Sequence, residues 1–105
     1  MELKVFWLQL AEDKLNDIYI YYRFKAGKRV AKRIVNGIVD KTIGLGMQSE
    51  IGQVEISLFH RDMEYRYLVY DNYKIVYWVN RIANRIEIAN VFDSRQNPTK
   101  IFETK

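Results

Sequence analysis

The sequence predicts an α+β fold: an N-terminal strand, then a two-helix antiparallel hairpin packed on a mainly antiparallel β-sheet. Three observations predict it. Apolar residues recur at helical spacing in two successive stretches, Ala11, Leu15, Ile18 and Tyr22, then Ala31, Ile34 and Ile38. From Val54 onward the period changes to two, in stretches rich in β-branched and aromatic residues. Only Lys25-Ala26-Gly27 separates the two helical stretches, and a break that short turns the second helix back along the first.

Residues 3–8 alternate, contain Val5, Phe6 and Trp7, and read as the first strand. The first helix spans about residues 9–24. Glu12, Asp13 and Asp17 lie early in it, where negative charge suits the positive end of the helix dipole. No good N-cap residue precedes it. The second helix runs from about Lys28 to Ile43, with an apolar face of Ala31, Ile34 and Ile38, extended by Leu45. Gly37 inside it costs about 1 kcal/mol relative to alanine, which suits a place where the two helices approach closely. Gly44 and Gly46 form its C-cap.

Four further strands are expected at residues 54–59, 65–70, 73–79 and 85–92. Asp71-Asn72 is a two-residue loop of types that tolerate positive φ, as a type I′ hairpin turn requires. That loop fixes the register: Tyr70 opposite Tyr73, Val69 opposite Lys74, Leu68 opposite Ile75, Arg66 opposite Tyr77. A second turn falls at about residues 80–84. Alternation then sorts the side chains. Leu68, Ile75 and Val79 face the helices, and Tyr67, Val69, Lys74, Val76 and Trp78 face away. The compact unit extends from residue 3 to about residue 97, and nothing is left over to cover that second face. An open aromatic and cationic face is expected to be a binding surface.

The composition narrows the chemistry. A chain of 105 residues is one domain, residues 1–105. It has no cysteine, which excludes disulfides, thiolate metal sites and a cysteine nucleophile. The single histidine, His60, excludes a histidine-rich zinc cluster. No run approaches ~18 apolar residues, and the N-terminus lacks a signal-peptide layout, so a soluble cytoplasmic protein with no membrane partner is expected. The net charge of +4 fits a nucleic acid, the ribosome or an acidic protein as partner, and equally fits plain solubility.

Four groups of residues resemble the RelE/ParE toxin superfamily, the type II toxin–antitoxin and plasmid stabilisation toxins. They are Ala11, Leu15, Ile18 and Tyr22 in the first helix; Ala31 and Ile34 ahead of a glycine-marked exit; Arg66 followed by Tyr73-Lys74-Ile75-Val76-Tyr77; and Ile86 and Ile88 followed by Val91-Phe92-Asp93-Ser94-Arg95-Gln96-Asn97-Pro98. The resemblance covers nearly the whole chain in order. It implies a toxin that arrests growth, held inactive in a hetero-oligomer by a co-expressed antitoxin whose C-terminal segment wraps it. Two branches are known. RelE-like members cut messenger RNA in the ribosomal A site, without a metal. ParE-like members poison DNA gyrase. No cofactor is implied.

Site residues follow from that resemblance and from the residues themselves. Lys74 stands where the nucleases carry the arginine before Leu-Val-Tyr; lysine keeps the charge and loses the bidentate grip on phosphate. Asp93 stands where histidine is frequent, and beside a phosphate it adds repulsion. Its structural alternative is to cap the end of the strand. Arg95 is the leading functional candidate, expected to reach toward the open face or to pair with Glu55 or Glu64. Arg66 is expected on the helix side, stacked on Tyr77. Tyr65, Tyr67 and Trp78 are core material or platforms for a base or an antitoxin side chain. His60 is expected on the surface or in a turn. Lys28, Arg29, Lys32 and Arg33 form two like-charge i, i+4 pairs, each costing about 0.2–0.5 kcal/mol. Either Glu12, Asp13 and Asp17 neutralise them across the hairpin or a nucleic acid does. The reading is a ParE-like gyrase poison whose target contacts are Lys74, Arg95, Tyr67, Trp78 and Arg66. The alternatives are a ribosome-dependent mRNA endonuclease, with Lys74 and Arg95 on phosphate, and a non-toxic remnant that binds antitoxin. Lys74→Ala separates the first two, since only RNA cleavage depends on that single charge.

Overall fold

Gly27 sets the helical layer. Its φ of 95° lies where glycine is favoured, so one residue both ends α1 (Gln9–Ala26) and opens α2 (Lys28–Ile43). Its N–H donates to the Arg23 carbonyl at 3.2 Å, and its own carbonyl accepts from Ala31 N at 3.1 Å. Two helices joined by one residue pack antiparallel, as the short break predicts.

The computed structural model describes residues 2–95 and 98–104. Its strands are β1 (Lys4–Trp7), β2 (Gln53–Val54), β3 (Arg66–Tyr70), β4 (Tyr73–Asn80) and β5 (Arg85–Asp93). They form one sheet in the order β1-β5-β4-β3-β2. β1 runs parallel to β5, and the other pairs are antiparallel. The hairpin of α1 and α2 covers one face, with Ala11, Ile38, Leu45, Ile75, Tyr77, Ile86, Ile88 and Val91 buried between the layers. The α+β architecture is therefore the one the periodicity predicts.

The β3–β4 register is the predicted one at all four pairs. The turn itself differs: Asp71 has φ 54°, but Asn72 does not take positive φ, so it is not type I′. The Asn72 carbonyl accepts from both Ser94 N and Ser94 Oγ at 2.9 Å, which holds that residue from the neighbouring strand end. β5 carries a bulge. Asn90 pairs with Val76 and Ile88 with Tyr77, which leaves Ala89 as the extra residue.

Three expectations are corrected. The strand expected at residues 54–59 stops after Val54, and a 3₁₀ turn, Ile56–Leu58, follows. The Glu55 carboxylate accepts from Ser57 N at 3.3 Å and Ser57 Oγ at 2.8 Å, a capping arrangement that turns the chain out of the sheet. Gly37 does not bring the helices together. A Cβ there would sit 2.2 Å from the Tyr70 ring, so the glycine admits a side chain from β3. Finally, the second sheet face is not open. Leu58 and Met63 from the β2–β3 connection, and Ile101 from a C-terminal 3₁₀ turn (Pro98–Glu103), pack on Val76, Ala89 and Phe92. Asn90 Nδ2 donates to the Lys100 carbonyl at 3.2 Å and to Thr104 Oγ1 at 3.1 Å, and Arg61 donates to the carbonyls of Phe102 and Thr104. The compact unit thus runs on through residue 104.

The Gly37 contact has a measurable consequence. Gly37→Ala should destabilise the fold by about 1–2 kcal/mol, because overlap with the Tyr70 ring outweighs the better helix propensity of alanine. Adding Tyr70→Val should remove that penalty and leave alanine's propensity gain visible. Urea denaturation of the four-member cycle checks this. A stabilising single Gly37→Ala change would mean that Tyr70 moves aside freely.

Candidate functional site

Lys74 lies on the second face of β4, between Val69 on β3 and Phe92 on β5. Its ammonium donates to Glu55 Oε1 at 2.8 Å and sits 4.2 Å above the centroid of the Tyr67 ring. The Tyr67 hydroxyl donates to Gln53 Oε1 at 2.9 Å. Glu55 is only 6% exposed. Burial by itself pushes its carboxyl upward, but hydrogen bonds from Lys74 and Ser57 outweigh that and hold it below the ordinary carboxylate value. The lysine charge is thus neutralised and shielded. The cleft beside it, about 330 Å³, is bordered by Ser57, Thr99, Ile101 and Phe102, and a phosphate placed there would meet the Glu55 carboxylate beside Lys74.

Arg95 opens into a different cleft, about 530 Å³, between α1 and the end of β5. It neither reaches the Lys74 face nor pairs with Glu55 or Glu64. Those carboxylates are taken by Lys74 and by Arg66, the latter at 2.7 Å. Arg95 N instead donates to Asp93 Oδ1 at 2.9 Å, and Arg95 Nε lies 3.5 Å from the same oxygen. Asp93 therefore caps the strand end. Burial raises its carboxyl, but the hydrogen bonds and positive charge of Arg95 help to outweigh that and lower it. Across this cleft the Tyr73 hydroxyl donates to the Tyr22 hydroxyl at 3.3 Å. Burial first, then that contact, pushes the Tyr73 phenol far above its usual value, so it stays protonated.

The remaining candidates lie away from both clefts. Arg66 pairs across the strands with Tyr77 as predicted, but it holds backbone instead of stacking on the ring. It donates to the carbonyls of Gly52 at 2.8 Å and Glu50 at 3.2 Å. The Tyr77 hydroxyl donates to Ser49 O and accepts from Gly52 N, both at 2.9 Å, so arginine and tyrosine together pin residues 49–52. Tyr65 is buried in the second layer, which raises its phenol, and Trp78 packs half-buried on the same layer. His60 is exposed in a turn. Among the described residues no ion pair joins Glu12, Asp13 or Asp17 to the basic start of α2, and no group of three His, Cys, Asp or Glu could hold a metal. None of the described helices is long and apolar enough to cross a membrane. In the closing motif quoted from the sequence, Gln96 and Asn97 lie outside the described residues.

Two features escaped the sequence reading. Glu55 is the ion-pair partner of Lys74, nineteen residues away, and no spacing rule joins them. Ile20, Tyr21 and Phe24 form an exposed apolar patch on α1, with Phe24 95% exposed. That patch had a signal, since Phe24 lies off the stripe of Ala11, Leu15, Ile18 and Tyr22.

A family model described as "ParE toxin of type II toxin-antitoxin system, parDE" matches residues 5–98. No curated protein sequence matches the chain. Among solved structures, one described as "Chromosomal ParDE TA system from P. aeruginosa" aligns with a TM-score of 0.72. The alignment covers 88% of this chain and 96% of that one, at 19% identity, a likeness of fold.

The Glu55 pair also sets a pH dependence. A carboxyl depressed in the folded chain binds its proton more readily when unfolded. Its contribution is therefore present above the ordinary value of 4.5 and is lost as pH falls through the lower folded value. Asp93, depressed from 3.8, acts in the same direction at lower pH. The urea midpoint should hold from about pH 7 to about pH 5 and then fall, and Glu55→Gln should show a smaller acid loss. Equal acid losses in the two proteins would remove Glu55 from the account.

Proposed function

Because the chain belongs to the ParE toxin family of type II toxin–antitoxin systems, we propose that it arrests growth in the cytoplasm by acting on DNA gyrase. A co-expressed antitoxin neutralises it, the C-terminal segment of the antitoxin wrapping the toxin in a hetero-oligomer. The observation that favours gyrase over messenger RNA is the Lys74–Glu55 pair. Metal-independent RNA cleavage needs charges that stabilise the crowded phosphate and groups that move two protons. Lys74 stands at the nuclease-arginine position with its charge compensated, a tail lies over the face around it, and Arg95 is in another cleft. A protein-binding poison makes no such demand, since its affinity comes from a few anchoring surface residues and needs neither a phosphate site nor proton transfer.

The test is induction of the chain without antitoxin, with two readouts. Gyrase-bound broken DNA should accumulate within minutes, while primer extension finds messages intact. Co-expression of the protein encoded by the adjacent gene should reverse the effect. New message ends at fixed codon positions would overturn the proposal in favour of a ribosome-dependent endonuclease. Absence of any growth arrest would instead make the chain a non-toxic antitoxin-binding remnant.

A paired substitution refines this. Lys74→Ala strands a nearly buried carboxylate, which confounds stability with activity. Lys74→Met combined with Glu55→Gln removes both charges together. A gyrase poison should keep its potency within about three-fold in that double variant, whereas loss of a phosphate-stabilising charge costs a nuclease about 10²-fold or more. A collapse of toxicity in a folded double variant would argue for RNA cleavage.

A further inference from the structure

We propose that the tip of the helical hairpin, where α1 hands over to α2, is a DNA-binding surface. Arg23, Lys25, Lys28, Arg29, Lys32 and Arg33 crowd into it, all exposed. Several cations elsewhere are paired, while Lys4 and Lys41 are exposed singly. Lys14, Arg66, Lys74, Arg81, Arg85 and Arg95 each form an ion pair. None of the described ion pairs involves the six at the tip. Lys25 donates to the Tyr21 hydroxyl at 3.2 Å, a neutral partner.

Three physical facts make the cluster unfavourable by itself. The first turn of α2 holds no acidic residue, so cations stand at the positive end of the helix dipole. Lys28 with Lys32, and Arg29 with Arg33, repel one turn apart. The antiparallel hairpin adds to this. It sets Arg23 and Lys25 beside the start of α2, while Glu12, Asp13 and Asp17 lie in the half of α1 remote from Gly27. The acids cannot answer the bases, and an external anion can.

The apolar part of the same surface narrows the partner. Phe24 is 95% exposed and Ile20 and Tyr21 about half exposed, beside the cations. A backbone of regularly spaced charges carrying flat bases satisfies both elements, phosphates on the lysines and arginines and a base against Phe24. The choice of DNA over RNA rests on the gyrase reading, since gyrase acts on DNA. An opened strand is favoured over intact duplex because Phe24 needs an unstacked base.

The experiment is fluorescence anisotropy of the full chain with a labelled mixed-sequence single-stranded DNA of about 20 nucleotides. With four to six phosphates engaged, affinity should fall about 10²-fold between 50 and 200 mM salt. The quadruple substitution Lys28→Gln, Arg29→Gln, Lys32→Gln and Arg33→Gln should weaken binding at least 10-fold and flatten the salt slope by about 3. It relieves repulsion, so the variant should fold, as circular dichroism will report. Phe24→Ala should weaken binding about 5-fold or more. Lys4→Gln with Lys41→Gln, on exposed cations away from the tip, should have much less effect than Lys32→Gln with Arg33→Gln.

The proposal is overturned if the wild-type chain fails to bind at low salt, or if the folded quadruple variant binds like wild type. Polyglutamate of equal length binding as tightly as DNA also overturns it and makes the tip a site for an acidic protein. Because no gyrase is present, failure here leaves the gyrase reading standing, and gyrase-bound breaks can be absent while this binding persists.

Discussion

Seven consecutive residues of β5, positions 86–92, are buried. A strand can be shielded on both faces only if two separate layers cover it. The helical hairpin supplies the first, through Ala11, Leu15, Ile18, Ile34 and Ile38. The second is assembled from pieces far apart in the chain, the β2–β3 connection with Leu58 and Met63 and the C-terminal turn with Ile101. The position of β5 beside β1 and β4 follows from the same demand. An interior strand has both edges paired, and its bulge at Ala89 fits the second layer to the sheet.

Covering the second face places polar groups out of water, and several are matched from within, although Asn90 Oδ1 has no partner among the described residues. Asn90 is fully buried and holds the tail through Lys100 and Thr104. Glu87, 5% exposed, accepts from Arg85 at 2.9 Å and from Asn80 at 3.2 Å. Lys74 and Glu55 complete the set. A buried polar group without a partner costs about 1–3 kcal/mol, so these bonds fix the second layer in one arrangement. The polarity of this face is committed to the fold. Lys74, at the position of the nuclease arginine, belongs to that set through its pair with Glu55.

The sequence made the first layer legible and hid the second, for a physical reason. Helical and strand periodicities are local, and a two-residue loop propagates its register along a whole hairpin, so Arg66 and Tyr77 could be paired before any coordinates. Leu58, Met63 and Ile101 sit singly in short irregular turns, where no period marks an apolar residue as buried. The alternation correctly put Tyr67, Lys74, Val76 and Trp78 on one face. It could not say what lay over them, so the face read as open. Arg95 was misplaced for a related reason. Its direction is set by Asp93 two residues earlier, a local cap that outcompetes the distant carboxylates Glu55 and Glu64.

Charge follows the same division. The chain carries +4 overall, but that excess is not spread evenly. Around the sheet, Lys74, Arg66 and Arg85 are answered by Glu55, Glu64 and Glu87, so their fields cancel within a few ångströms. At the hairpin tip nothing cancels, and unopposed cations sum into a local positive potential that steers anionic partners. The folding requirement and the charge distribution are thus one fact seen twice. The face that must be closed to bury β5 has consumed its ionic groups in closing it. The hairpin tip, at Gly27, keeps its exposed cations and Phe24.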